Sequence, residues 1–136
     1  MIVLDASAAV EILLQTAVGA PLTERLLVSD VSLHAPHLLD VEVAQVLRRF
    51  VAHGEIVAER ARQALEDLAD FPLERYSHVF LLPRIWGLRH NLTAYDAAYV
   101  ALAEVLDATL LTCDGRIGRA SGHSAVVEVI GANQPI

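Results

Sequence analysis

Short apolar runs of strand length alternate along this chain with longer stretches of helical periodicity, and that alternation restricts the fold to a largely parallel sheet covered by helices. Met1–Asp5 is a buried-strand signal ending in a carboxylate. Ala6–Leu14 carries apolar residues at helical spacing, and Pro21 is placed to open a second helix that runs to about Ser29. Val31–Ala35 alternates and stops at Pro36, a strand pattern. His37–His53 is a long amphipathic helix closed by Gly54, and Ile56–Phe71 is another, ended by Pro72. Leu73–Tyr76 reads as a short strand and Val79–His90 as a helix interrupted near Pro83. Thr93–Leu106 is an almost wholly apolar helix. Ala108–Thr112 reads as a buried strand, Asp114–Gly115 as a turn, and Ala125–Ile130 as the last strand. The expectation is an α/β fold of three layers, α/β/α, with a central, mostly parallel sheet of four to five strands. With 136 residues, it is expected to form a single domain, 1–136.

Composition narrows the class. With 54% hydrophobic residues, disorder is excluded, and no apolar run reaches the length of a membrane span. No basic stretch precedes the first apolar residues, so no signal peptide is expected, and a cytosolic location follows. A single cysteine allows neither an internal disulfide nor a thiolate zinc site. The 10 basic residues are all arginine. Without lysine, Schiff-base chemistry, P-loop phosphate binding and a Ser-Lys nucleophile are all removed. A net charge of −7 argues against a broad basic footprint for nucleic acid.

Most acidic residues sit on helix faces among arginines, whereas Asp5, Glu42, Asp96 and Asp114 do not. Each has a structural reading. Asp5 suits a helix N-cap, with Ser7 as competitor, and Glu42 lies in the first turn or so of its helix, where the dipole favours an acid. Thr93-Ala94-Tyr95-Asp96 fits a capping box, and Asp114-Gly115 a turn. Their common placement is harder to explain that way. Asp5 and Asp114 close strands at the carboxyl end, and Glu42 and Asp96 open helices on that same edge, where parallel sheets bind ligands. Four ionised carboxylates in one crevice require a cation. An all-oxygen set selects Mg²⁺ or Mn²⁺, ions that activate water and clamp the oxygens of a phosphoryl displacement.

MIVLDASA, APHLLDVEVAQVLRR and TAYDAAYVALAEVLDATLLTCDGRIGRA together resemble the PIN-domain nucleases, specifically the VapC-type toxins of VapBC toxin–antitoxin modules. The resemblance covers the whole chain. It implies a PIN-like fold and Mg²⁺-dependent endoribonuclease activity, with Mn²⁺ as a substitute. It also implies a homodimer, an RNA substrate and inhibition by a cognate VapB-like antitoxin. Asp5, Glu42, Asp96 and Asp114 match the family's metal-binding and catalytic acids, and Ser7 and Thr112 match the small hydroxyl residues beside them. Cys113 takes a spot where small residues are common.

Arg116 is a candidate substrate-binding residue. Arg119, Arg48 and Arg49 could line the same rim or be ordinary surface arginines. Val10, Leu13, Leu14, Leu26 and Leu27 are expected to be either core or an exposed strip for an antitoxin segment. The histidines are scattered, with His34 and His37 astride Pro36, and Trp86 and Tyr95 read as packing residues. A receiver-like Mg²⁺-binding domain, a dehalogenase-like phosphatase and a non-catalytic PIN-like binding domain are the rival readings. The first two need a lysine this chain lacks.

Overall fold

The computed structural model describes residues 1–131, so the single-domain expectation for 132–136 lies outside the described residues. The sheet has five strands: β1 (Ile2–Leu4), β2 (Leu33–Pro36), β3 (Leu73–Tyr76), β4 (Thr109–Thr112) and β5 (Val127–Val129). The order is β3-β2-β1-β4-β5 and every pairing is parallel. Val3 on the central strand faces His34 on one side and Leu110 on the other. Strands covered on both faces read as unbroken apolar runs. Val3, Leu4, Leu110 and Leu111 are accordingly all fully buried. The edge strand β3 instead carries Glu74 and Arg75, charges that discourage pairing with another chain. Buried His34 ties it down: Ser32 Oγ and Tyr76 OH each lie 2.7 Å from its ring nitrogens.

Among the described residues the helices are α1 (Ala6–Leu14), α2 (Gly19–Ser29), α3 (Leu38–Ala52), α4 (Ala58–Asp70), α5 (Leu82–Gly87), α6 (Ala94–Leu106) and α7 (Gly115–Arg119). One core joins α6, α3, α4 and one side of α1 to Val3 and Leu110. A smaller one packs α2 and the other side of α1 on Leu4, Leu33 and Leu111. Three layers result, as expected from the alternation. No single helix among the described residues is long and apolar enough to cross a membrane.

Several boundaries differ for identifiable reasons. α2 starts at Gly19 rather than Pro21 because the Thr16 hydroxyl accepts the Gly19 amide, starting the helix two residues earlier. Pro83 does not interrupt a helix; it occupies the first turn of α5, after a 3₁₀ turn at Val79–Leu81, where a missing amide costs nothing. Asp114–Gly115 is not a turn but the start of α7, with the Asp114 carboxylate accepting the Arg116 amide at 2.9 Å. Glu42 is the fifth residue of α3, at the start of its second turn. The early-helix strip is mainly core: Val10, Leu13 and Leu26 are buried and Leu14 half-buried, leaving Leu27 exposed at 77%.

α1 and α2 meet at 99°, and Gly19 permits the bend. A Cβ there would lie 1.8 Å from the Glu11 carbonyl oxygen, which is backbone and cannot swing away. Gly19→Ala is therefore expected to cost about 1–3 kcal/mol of stability in urea denaturation. A cost near zero would contradict this packing.

Candidate active site

β1 is where the strand order reverses, with β2 on one side and β4 on the other, and the crevice opens beyond the carboxyl ends of β1 and β4. Asp5 leaves β1 directly into α1 and is 5% exposed. It caps α1, with Oδ1 accepting the Ala8 amide at 3.0 Å and the Ser7 hydroxyl at 2.7 Å. Its other oxygen accepts Thr112 Oγ1 from β4 at 2.5 Å. Ser7 also accepts the Cys113 amide at 2.9 Å, so the two hydroxyls lock the ends of β1 and β4 together around one carboxylate. Capping and site placement coexist in this residue.

A cavity of about 420 Å³ opens beside Asp5, and Glu42, Asp96 and Asp114 line it too. α3 brings Glu42, α6 brings Asp96, and the β4–α7 junction brings Asp114. Thr93 caps α6 through its hydroxyl, which accepts the Asp96 amide at 3.2 Å. Burial pushes the Asp5 carboxyl above its ordinary value, against the bonds from Ser7, Thr112 and Ala8, and the Asp96 charge adds to the rise. Burial likewise raises Glu42, opposed by its bond from Tyr99 and helped by Asp96 and Asp5. Asp96 is raised by burial and then by the Asp114 charge. Asp114 goes the other way, held down chiefly by the side chain of Arg116, whose Nη2 lies 2.8 Å from it.

Buried Asp5 and half-buried Glu42 and Asp96 are carboxylates that repel one another, and an all-oxygen set of this kind fits a hard divalent cation. Burial pushes the Cys113 thiol up to about 11, so without metal it stands neutral beside the acids, and its soft sulfur is a poor match for a hard cation. Among the described residues no three acidic, histidine or cysteine side chains already close on one point at ligand distance.

Tyr99 also lines the cavity, and the sequence reading gave it no role. It is fully buried on α6, and its hydroxyl donates to Glu42 Oε1 at 2.5 Å. Burial and the surrounding acids keep the phenol neutral, hence a donor. A phenol in an otherwise apolar helix needs an acceptor, and that was the available signal. Of the candidate arginines, Arg116 is paired with Asp114 and 81% exposed, Arg48 donates to Gln45 at 3.1 Å, and Arg49 lines the cavity.

Residues 2–122 match the PIN domain family. The chain belongs to that family. Its PIN fold lies among VapC-type relatives: it is 44% identical to Ribonuclease VapC1 of Mycobacterium tuberculosis over 129 residues, 94% of this chain and 96% of that one. It is 41% identical to Ribonuclease VapC9 of the same organism, over 96% of this chain and 98% of that one. The fold is shared with VapBC2 from Rickettsia felis bound to a DNA fragment from their promoter, at a TM-score of 0.69. That match has 15% sequence identity and covers 96% of this chain and 100% of the other. The five strands of this PIN domain are all parallel, a stricter outcome than the mostly parallel sheet expected.

The raised carboxyls have a consequence for the PIN site in the absence of metal. A carboxyl with a raised folded value binds its proton more tightly when folded. Its stabilisation is full below the ordinary carboxyl value and disappears as pH rises through the raised one. In EDTA, Glu42→Gln is thus expected to gain stability relative to wild type as pH rises above the ordinary carboxyl value. Melting curves of both proteins check it; a difference that stays flat or shrinks with pH contradicts the assignment.

Proposed function

We propose that this PIN-domain chain is the toxin of a type II toxin–antitoxin system, a metal-dependent endoribonuclease that hydrolyses RNA phosphodiester bonds in the cytoplasm. The observation that carries the reading is the meeting of Asp5, Glu42, Asp96 and Asp114, from four separate stretches of chain, in the wall of one cavity. Relatives named ribonucleases at 41–44% identity over nearly the whole length support it. In this reading the four acids hold Mg²⁺, with Mn²⁺ as a substitute. Bound there, the ion supplies activated water and charge neutralisation for in-line displacement at phosphorus. Ser7 and Thr112 hold Asp5 in one rotamer, and Tyr99 does the same for Glu42. The Arg116 guanidinium orients Asp114, which lines the cavity. A homodimer and a VapB-like antitoxin complete the proposed assembly.

The test is incubation of purified protein with total RNA in Mg²⁺ or EDTA, beside Asp5→Ala. Cleavage that requires both the metal and Asp5 is expected. Absence of cleavage with either metal ion would move the protein to a binding role and reject this reading.

A further inference from the structure

The cavity does not end at the acids. Its lining also takes in Val46, Arg49 and Phe50 of α3 and Val10 of α1. Glu42 and Arg49 are seven residues apart on α3. That is about two helical turns and about 10 Å, on nearly the same face. On α3 the lining residues Glu42, Val46 and Arg49 follow in that order, anionic, apolar and cationic, with Gln45 beside Val46 and Phe50 beside Arg49. Arg116 is occupied by Asp114, whereas Arg49 has no carboxylate within ion-pair distance among the described residues. Glu11 of α1 lines the same cavity and accepts the Thr16 hydroxyl, but it makes no ion pair with Arg49. An unpaired guanidinium beside an apolar wall, in a chain of net charge −7, is suited to a phosphate with its planar fork.

We propose that Arg49 binds a phosphate of single-stranded RNA flanking the one held at the carboxylates, with ribose or base against Val10, Val46 and Phe50. The alternation of charge along the groove matches the phosphate–nucleoside–phosphate repeat of a strand. This rests on the nuclease reading above for the acidic end.

The experiment is fluorescence anisotropy of a labelled single-stranded oligoribonucleotide, titrated with protein at several NaCl concentrations in Ca²⁺, a hard oxygen-seeking cation, in place of Mg²⁺. Wild type, Arg49→Ala, Arg49→Lys and Arg48→Ala are compared. Arg49→Ala is expected to weaken binding about tenfold and to reduce the slope of log affinity against log salt by about 0.7, one phosphate on a single strand. Arg49→Lys keeps the slope, and Arg48→Ala matches wild type. In Mg²⁺, cleavage by Arg49→Ala shows a raised KM with kcat nearly unchanged. An Arg49→Ala protein with wild-type affinity and slope overturns the proposal and leaves the nuclease reading intact. Arg49-dependent binding without metal-dependent cleavage does the reverse. A wild type that binds no RNA rejects both.

Discussion

Asp96→Asn is expected to lower RNA cleavage by about 10³-fold, the scale of ~4 kcal/mol in the transition state, while leaving the metal-free protein at least as stable as wild type. The two effects have opposite signs because the same charge serves in one state and harms in the other. Without metal, the Asp96 carboxylate is half-buried beside Asp114 and also raises Asp5 and Glu42. Removing the charge relieves that repulsion. With a divalent ion in excess by about 100 times its dissociation constant, wild type gains about 2.7 kcal/mol by linkage, and the variant gains little. A residue serving only to start α6 behaves otherwise. Its loss costs about 0.5–1 kcal/mol whether or not Mg²⁺ is present. The Thr93 hydroxyl already accepts the Asp96 amide, a bond the variant retains. Melting curves in EDTA and in Mg²⁺, run beside a cleavage assay, separate the outcomes; equal Mg²⁺ stabilisation with retained activity makes Asp96 a cap.

Tyr99→Phe is expected to reduce cleavage by about 10- to 100-fold and to move the acid limb of its pH profile upward. The substitution keeps the ring that fills the core and removes only the donor to Glu42. That bond lowers the Glu42 carboxyl against the desolvation that raises it, so its loss lets the value climb further. Glu42 then carries its proton to higher pH, and more alkaline conditions are needed before it can face a cation. Stability with metal present should fall by about 1.5–3 kcal/mol, the worth of a hydrogen bond to a charged group. The pH profile is the discriminating measurement. A simple packing defect lowers activity evenly across pH, and an unmoved limb would falsify the positioning role.

The repeating order of strands and helices was legible because each pattern is local. An apolar run such as Ala108–Thr112 can be satisfied only where both faces of a strand are covered, and Thr93 before Ala94 announces a helix start from adjacent atoms. The failures are also local in origin. Pro83 was read as a break when its place in a first turn made it a beginner, and Asp114-Gly115 supports a turn or a cap with equal chemistry. The Thr16 hydroxyl that starts α2 at Gly19 left no periodic signal. Among site residues, the common edge of Asp5, Glu42, Asp96 and Asp114 followed from the direction of the strands, since parallel pairing brings every strand end and the following helix start to one side. The phenol of Tyr99 in an apolar helix called for an acceptor, but that the acceptor is Glu42 depended on how α3 crosses α6.

The sequence by itself determined the layered parallel architecture, the absence of lysine chemistry and the edge on which the acids gather. Only the tertiary structure decided which groups on that edge answer one another. The Thr112 hydroxyl reaches Asp5 across 107 residues, and the Tyr99 phenol reaches Glu42 across 57. It also decided that Arg116 is consumed by Asp114 while Arg49 is left facing the groove. Periodicity reports the face a residue occupies on its own helix or strand. The group opposite is set by the crossing of elements far apart in the chain, where desolvation makes each hydrogen bond or repulsion strong enough to fix a proton or free a charge.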